Sequence, residues 1–202
     1  MSFGSRGLVA VGVFIIGTCW SRVATAGEEG ITTGVYGRLT LAYDSAKHTL
    51  SGYIDLSKKD DEETKPCNLL FVGIHNGELQ TNVQFYHNFT DSQSMGSGTL
   101  TLNEDETISL KFKNKPEPCG KPLPITVDTV YKLSVKGEFS VIAVVKKEKQ
   151  FLYEQPNFDA KLKSYVEKGD PVAVLKNKHN WILVKTLRNQ NNYKWIPKNC
   201  LY

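Results

Sequence analysis

The chain has 202 residues, 40% of them hydrophobic, and a net charge of +4. That is enough for two small cores, and beyond residue 26 no stretch approaches the ~20 apolar residues of a membrane-spanning helix. Charge is shared unevenly: residues 27–135 hold 10 Lys and Arg against 15 Asp and Glu, a net of −5, whereas residues 136–202 hold 13 against 6, a net of +7. Such asymmetry points to two units with different electrostatic tasks, or to two halves steered onto each other.

Residues 1–26 read as an export signal. Arg6 gives a basic start, Gly7 to Trp20 form an apolar run, and Ala24-Thr25-Ala26 supplies a small-x-small cleavage pattern. Cleavage after Ala26 leaves a mature chain that is periplasmic or secreted, without stable membrane insertion. A lipoprotein anchored at Cys19 is the competing reading, but Thr18 stands where a smaller residue normally precedes the cysteine. Export argues against nucleic acid as a partner, despite the basic second half.

Residues 27–135 are expected to form an antiparallel β domain, a barrel or sandwich. Gly34 to Asp44 alternates as one strand, with Val35, Leu39, Leu41 and Tyr43 on one side and Tyr36, Arg38 and Thr40 on the other. His48 to Leu56 returns with Leu50, Ile54 and Leu56 in phase. The charged run after it, with Asp60, Asp61, Glu62 and Glu63, reads as an exposed loop; it lacks the alternating ligands and bend glycine of a calcium site, so no metal is assigned. Leu69 to Val72 is continuously apolar, which suggests burial on both faces. Asn76-Gly77 predicts a two-residue hairpin leading into Leu79 to His87. Thr99 to Leu102 and Thr107 to Phe112 pair around Asn103 to Glu106. Four prolines between Lys115 and Pro124 exclude a central strand there, and Ile125 to Val135 resumes strand character. No amphipathic helix of three turns and no repeat is visible.

After cleavage, Cys67, Cys119 and Cys200 remain in an oxidising compartment, and three cysteines allow three single bridges. A Cys67–Cys119 disulfide is favoured, because both lie in one candidate domain beside proline-containing loops. It would restrain the unfolded chain by about 4 kcal/mol. Cys200 is then a buried free thiol or an intermolecular partner.

Residues 136–202 show short apolar runs broken by turn residues at Asn157, Gly169-Asp170-Pro171, Asn177 and Asn189 to Asn192, the pattern of a small closed β-barrel. Val172, Val174, Trp181, Leu183, Trp195 and Ile196 are the candidate core. Leu152-Tyr153, Pro156-Asn157, Ala160-Lys161, Val166 to Asp170, Val172 to Leu175, Trp181 with Val184, and Trp195-Ile196 with Leu201 follow in an order that resembles the bacterial SH3-like (SH3b) domains of exported cell-envelope proteins. The resemblance spans Ser140 to Tyr202, with Lys194 where that family often has Gly. It implies an SH3-like barrel that binds peptidoglycan or a protein partner, and it implies no catalysis.

Aromatic residues interleaved with lysines suit glycan rings, peptide stems or anionic polymers. Tyr153, Phe158 and Tyr193, nearer loops, with Lys161 and Lys194, are the candidate ligand residues; Trp181 and Trp195 read as core. An alternative is a periplasmic inhibitor or immunity protein that presents Asp60 to Glu63 or the loop around Pro118 to an enzyme or toxin. A cell-wall hydrolase would need Cys67 activated by His75 or His87, but Cys67 enters an apolar strand where nothing lowers its pKa. No zinc-ligand spacing, phosphate-binding loop or nucleophile elbow occurs, and no cofactor or catalytic residue is assigned.

Overall fold

A computed structural model describes residues 31–56, 68–86, 94–114, 128–187 and 193–202. The described chain is all-β, as expected. Residues 31–202 form one compact unit containing two antiparallel sheets.

The first sheet is a meander of β1 (Gly34–Tyr36), β2 (Leu39–Asp44), β3 (Thr49–Asp55), β4 (Asn68–Ile74), β5 (Gln80–Tyr86), β6 (Gly96–Leu102), β7 (Thr107–Phe112), β8 (Asp128–Lys132) and β9 (Val135–Lys136). In space the order is β8-β7-β6-β5-β4-β3-β2-β1-β9. The two end strands are consecutive in sequence, separated only by Leu133 and Ser134. One segment therefore pairs with β7 through its first half and with β1 through its second, and the sheet must curl until its ends meet. Ser134 fastens the seam: its N–H donates to the Val35 carbonyl at 2.7 Å, and its Oγ accepts from the Gly37 N–H at 3.2 Å.

The curl encloses Tyr36, Leu39, Leu41, Leu50, Ile54, Leu69, Phe71, Val83, Phe85, Leu100, Ile108 and Leu110, all essentially without solvent exposure. The Tyr36 hydroxyl donates to the Thr32 carbonyl at 2.6 Å. Burial, with Glu106 nearby, pushes its pKa up to about 12.

Three local expectations are corrected. Gly34 to Asp44 is a hairpin, not one strand: Gly37, at φ +64°, and Arg38 form the turn, so Tyr36 and Leu39 pair and share the inner face. Asn76-Gly77 lies in a loop from His75 to Leu79, with Gly77 at φ +81°, and not in a two-residue turn. In the second half the chain turns at His179-Asn180, with His179 at φ +54°, and runs straight through Asn177.

The second sheet contains β10 (Val141–Val144), β11 (Lys149–Tyr153), β12 (Lys161–Glu167), β13 (Pro171–Lys178), β14 (Trp181–Thr186) and β15 (Tyr193–Pro197), in the order β10-β13-β14-β15-β11-β12. The C-terminus folds back onto the end of β10. Leu201 bridges Val145, and the Tyr202 N–H donates to the Val144 carbonyl at 3.0 Å. Its core is Ala143, Val145, Leu152, Val166, Val172, Val174, Ile182, Val184 and Ile196. Leu183 and Trp195, expected in that core, are only half-buried, because the inward face of β14 is carried by Ile182 and Val184.

The two sheets join through a second apolar cluster. Ala42, Tyr53 and Leu70, on the outer face of the first sheet, pack with Phe139, Ile142, Val144, Ala173 and Leu187. Strands β10 and β13 thus bury side chains on both faces, which is why their sequences are almost unbroken apolar runs. The Ile142 N–H, on the open edge of β10, donates to the buried Ser51 Oγ at 2.8 Å.

Candidate ligand-binding face

The candidate site lies on the second sheet, around the connection from β11 to β12. That connection ends in a one-turn 3₁₀ helix, Phe158–Ala160, whose N-cap Asn157 accepts the Ala160 N–H through Oδ1 at 2.9 Å. The cap fixes a turn whose first residue, Phe158, is 70% exposed.

Phe158 does not project alone. Its centroid lies 4.9 Å from that of Trp181 and 5.9 Å from that of Tyr153, and Tyr153 and Trp181 are themselves 4.9 Å apart at 76°. Tyr153 and Trp181 are buried, so they form the base on which Phe158 stands. The contacts of Tyr153 with Phe158 and with Trp181 are edge-to-face and that of Phe158 with Trp181 is tilted at 56°; aromatic pairs are worth about 0.5–1.5 kcal/mol beyond area burial. They hold an exposed ring in one orientation.

The other predicted residues distribute around this cluster. Lys194, in β15, pairs with Glu154 at the end of β11, which closes one flank. Tyr193 is half-exposed and pairs in register with Lys185, whose Nζ lies 5.8 Å from its ring centroid. Lys161 begins β12 directly after the 3₁₀ turn, with Nζ 3.7 Å from the Phe151 centroid. The fold therefore brings Tyr153 and Phe158 together, adds Trp181 beneath them, and sets Lys161 and Lys194 at the margins.

Sequence reasoning missed Phe151 and Lys149. Phe151 and Tyr165 face each other across β11 and β12, their rings 6.3 Å apart at 71°. Lys149 Nζ lies 4.0 Å from the Tyr165 centroid and 5.3 Å from that of Phe151. The signal was the period-two spacing Lys149-x-Phe151, which places the charge and the ring on one face of a strand.

Asp60 to Glu63, Cys67, His87, Pro118 and Cys119 lie outside the described residues, so the loops proposed for an inhibitor, the expected disulfide and the hydrolase thiol have no structural description. His75 is described and is buried, its Nδ1 2.9 Å from Thr81 Oγ1. Cys200 is a buried free thiol that donates to Gln150 Oε1 at 2.7 Å, and burial pushes its pKa up. Among the described residues no three His, Cys, Asp or Glu side chains gather in a way that could hold a metal ion. No described helix is long and apolar enough to cross a membrane.

No family model, curated protein or solved structure matches the chain.

Proposed function

We propose that this is an exported, non-enzymatic binding protein of the cell envelope, whose second sheet is an SH3-like module that engages peptidoglycan or a protein partner held there. The observation that carries this reading is Phe158, a large apolar ring left 70% exposed yet clamped by a capped turn and two buried aromatic rings. A ring ordered before binding loses little entropy when a sugar face or peptide stem stacks on it. The order of sequence blocks from Leu152 to Leu201 that resembles SH3b domains supports the same reading, as do the export-like first 26 residues.

The full chain should co-sediment with purified peptidoglycan at low salt, and Phe158→Ala should cut that retention about tenfold, the loss of one stacking anchor. If sacculi fail to retain the chain, and no envelope protein co-purifies with it in a Phe158-dependent way, the reading is wrong.

A further inference from the structure

Where the two sheets meet, the described residues form an apolar cluster that includes a hydrogen bond from the Ile142 N–H to Ser51 Oγ. Among the described residues the ion pairs Lys47–Asp44, Lys168–Glu148 and Lys194–Glu154 each stay within one sheet, and none involves Lys149 or Lys161. Glu167 is the register partner of Lys149 on β12, so it is the one acid on this ladder.

Lys149 and Lys161 are placed by aromatic rings instead of by acids. Both ammonium groups lie within 5.3 Å of the Phe151 centroid, and Lys149 also sits over Tyr165. Each such contact draws the ammonium toward the negative face of the ring. It orders the ammonium without neutralising it. An incoming anion therefore meets two pre-placed positive charges, and Lys163 is exposed on the same strand.

Among the described residues β12 is the last strand of its sheet, which raises the question of an added peptide strand. Its register works against that. Between the pairs Phe151↔Tyr165 and Tyr153↔Lys161, β12 has three residues where β11 has one, so the edge is bulged and presents no straight ladder. Recognition must then fall on side chains. Ammonium groups beside a half-exposed tyrosine ring suit a polymer that carries its negative charge on an apolar-faced ring.

We infer that the outer face of the β11–β12 hairpin binds a linear acidic glycan, whose carboxylates meet Lys149 and Lys161 while its ring carbons rest against Tyr165. This rests on the envelope reading above; it shares Lys161 with the margin of that site but adds Lys149 and Tyr165 and takes a charged ligand.

The test is calorimetric titration of the full chain with oligogalacturonate of defined length at low salt, with neutral dextran and poly-L-glutamate as comparison ligands. The acidic glycan should bind, dextran should not, and added salt should weaken the complex. Lys149→Gln combined with Lys161→Gln should lower affinity about tenfold and flatten the salt dependence, with circular dichroism unchanged, while Phe158→Ala stays within about twofold. Absence of oligogalacturonate binding, or affinity unchanged in the double variant, overturns the inference. Poly-L-glutamate binding as tightly as the glycan also overturns it and assigns the face to an acidic protein. The two readings fail separately: a chain that sacculi retain through Phe158 but that binds no oligogalacturonate leaves the Phe158 reading standing, and glycan binding by a chain that sacculi do not retain leaves only this face.

Discussion

His75 and Cys200 are buried polar side chains whose environments set measurable behaviour. His75 follows β4 and His48 precedes β3, so the paired strands bring them to the same end of the sheet, where Tyr43 meets His75 edge-on at 5.6 Å. Burial, reinforced by His48, pulls the His75 pKa down. The folded state therefore holds a neutral imidazole, while the unfolded chain takes up a proton near pH 6.5. Stability should be flat above about pH 7 and fall as pH drops through 6.5 toward the depressed folded value. Urea midpoints at pH 7.5 and 5 should differ more for the wild type than for His75→Gln, and equal losses would show that His75 is not the group responsible. Asp105 acts in the same direction but in a more acidic window. Its carboxylate accepts from Thr107 Oγ1 and N–H, which lowers its pKa, so its contribution is lost only as pH falls below about 4. Cys200 should resist thiol reagents in the native state and react once urea unfolds the chain, read by mass mapping of its peptide. Cys200→Ala should cost about 1–3 kcal/mol by stranding Gln150 Oε1, and Cys200→Ser should recover part of that.

At the scale of elements, the clearest constraint is Gly52. It faces Phe71 across β3 and β4, and the Phe71 ring occupies the space a Cβ would need. Gly52→Ala should destabilise the protein by about 1–3 kcal/mol in thermal melts, and by clearly less in a Phe71→Leu background. Equal costs in both backgrounds would mean the ring is not the obstacle. This contact was not legible in the sequence, since Gly52 and Phe71 become neighbours only through strand pairing. Alternation did show that Leu50, Ile54 and Leu56 share a face, and the unbroken Leu69 to Val72 run signalled burial on two faces, which holds for Leu69 to Phe71 while Val72 is half-buried. The first hairpin was missed because Tyr36 and Leu39 fall in opposite phase along one strand yet on the same face across a two-residue turn. The site was half legible for the same reason. Phe158 and Lys161 stood out as residues near a loop, whereas the Trp181 base and the Lys149–Phe151–Tyr165 group depend on which strands lie side by side.

Within the compact unit of residues 31–202, β10 and β13 serve both cores. Ser51 lies in the first sheet, while Trp181 and Trp195 lie in the second. Ser51→Ala strands the buried Ile142 N–H and should lower the tryptophan-detected unfolding midpoint by an amount matching about 1–3 kcal/mol, in one transition coincident with circular dichroism. Two separate transitions would mean that the sheets fold independently. The binding role proposed above belongs to the aromatic and cationic face of the second sheet. The most direct measurement of that role is amide chemical-shift mapping on the full chain titrated with solubilised peptidoglycan fragments. Shifts gathered on residues 153–161 with Trp181 and Lys194 are the expected result. Shifts confined to the first sheet, or none at saturating fragment, would contradict it.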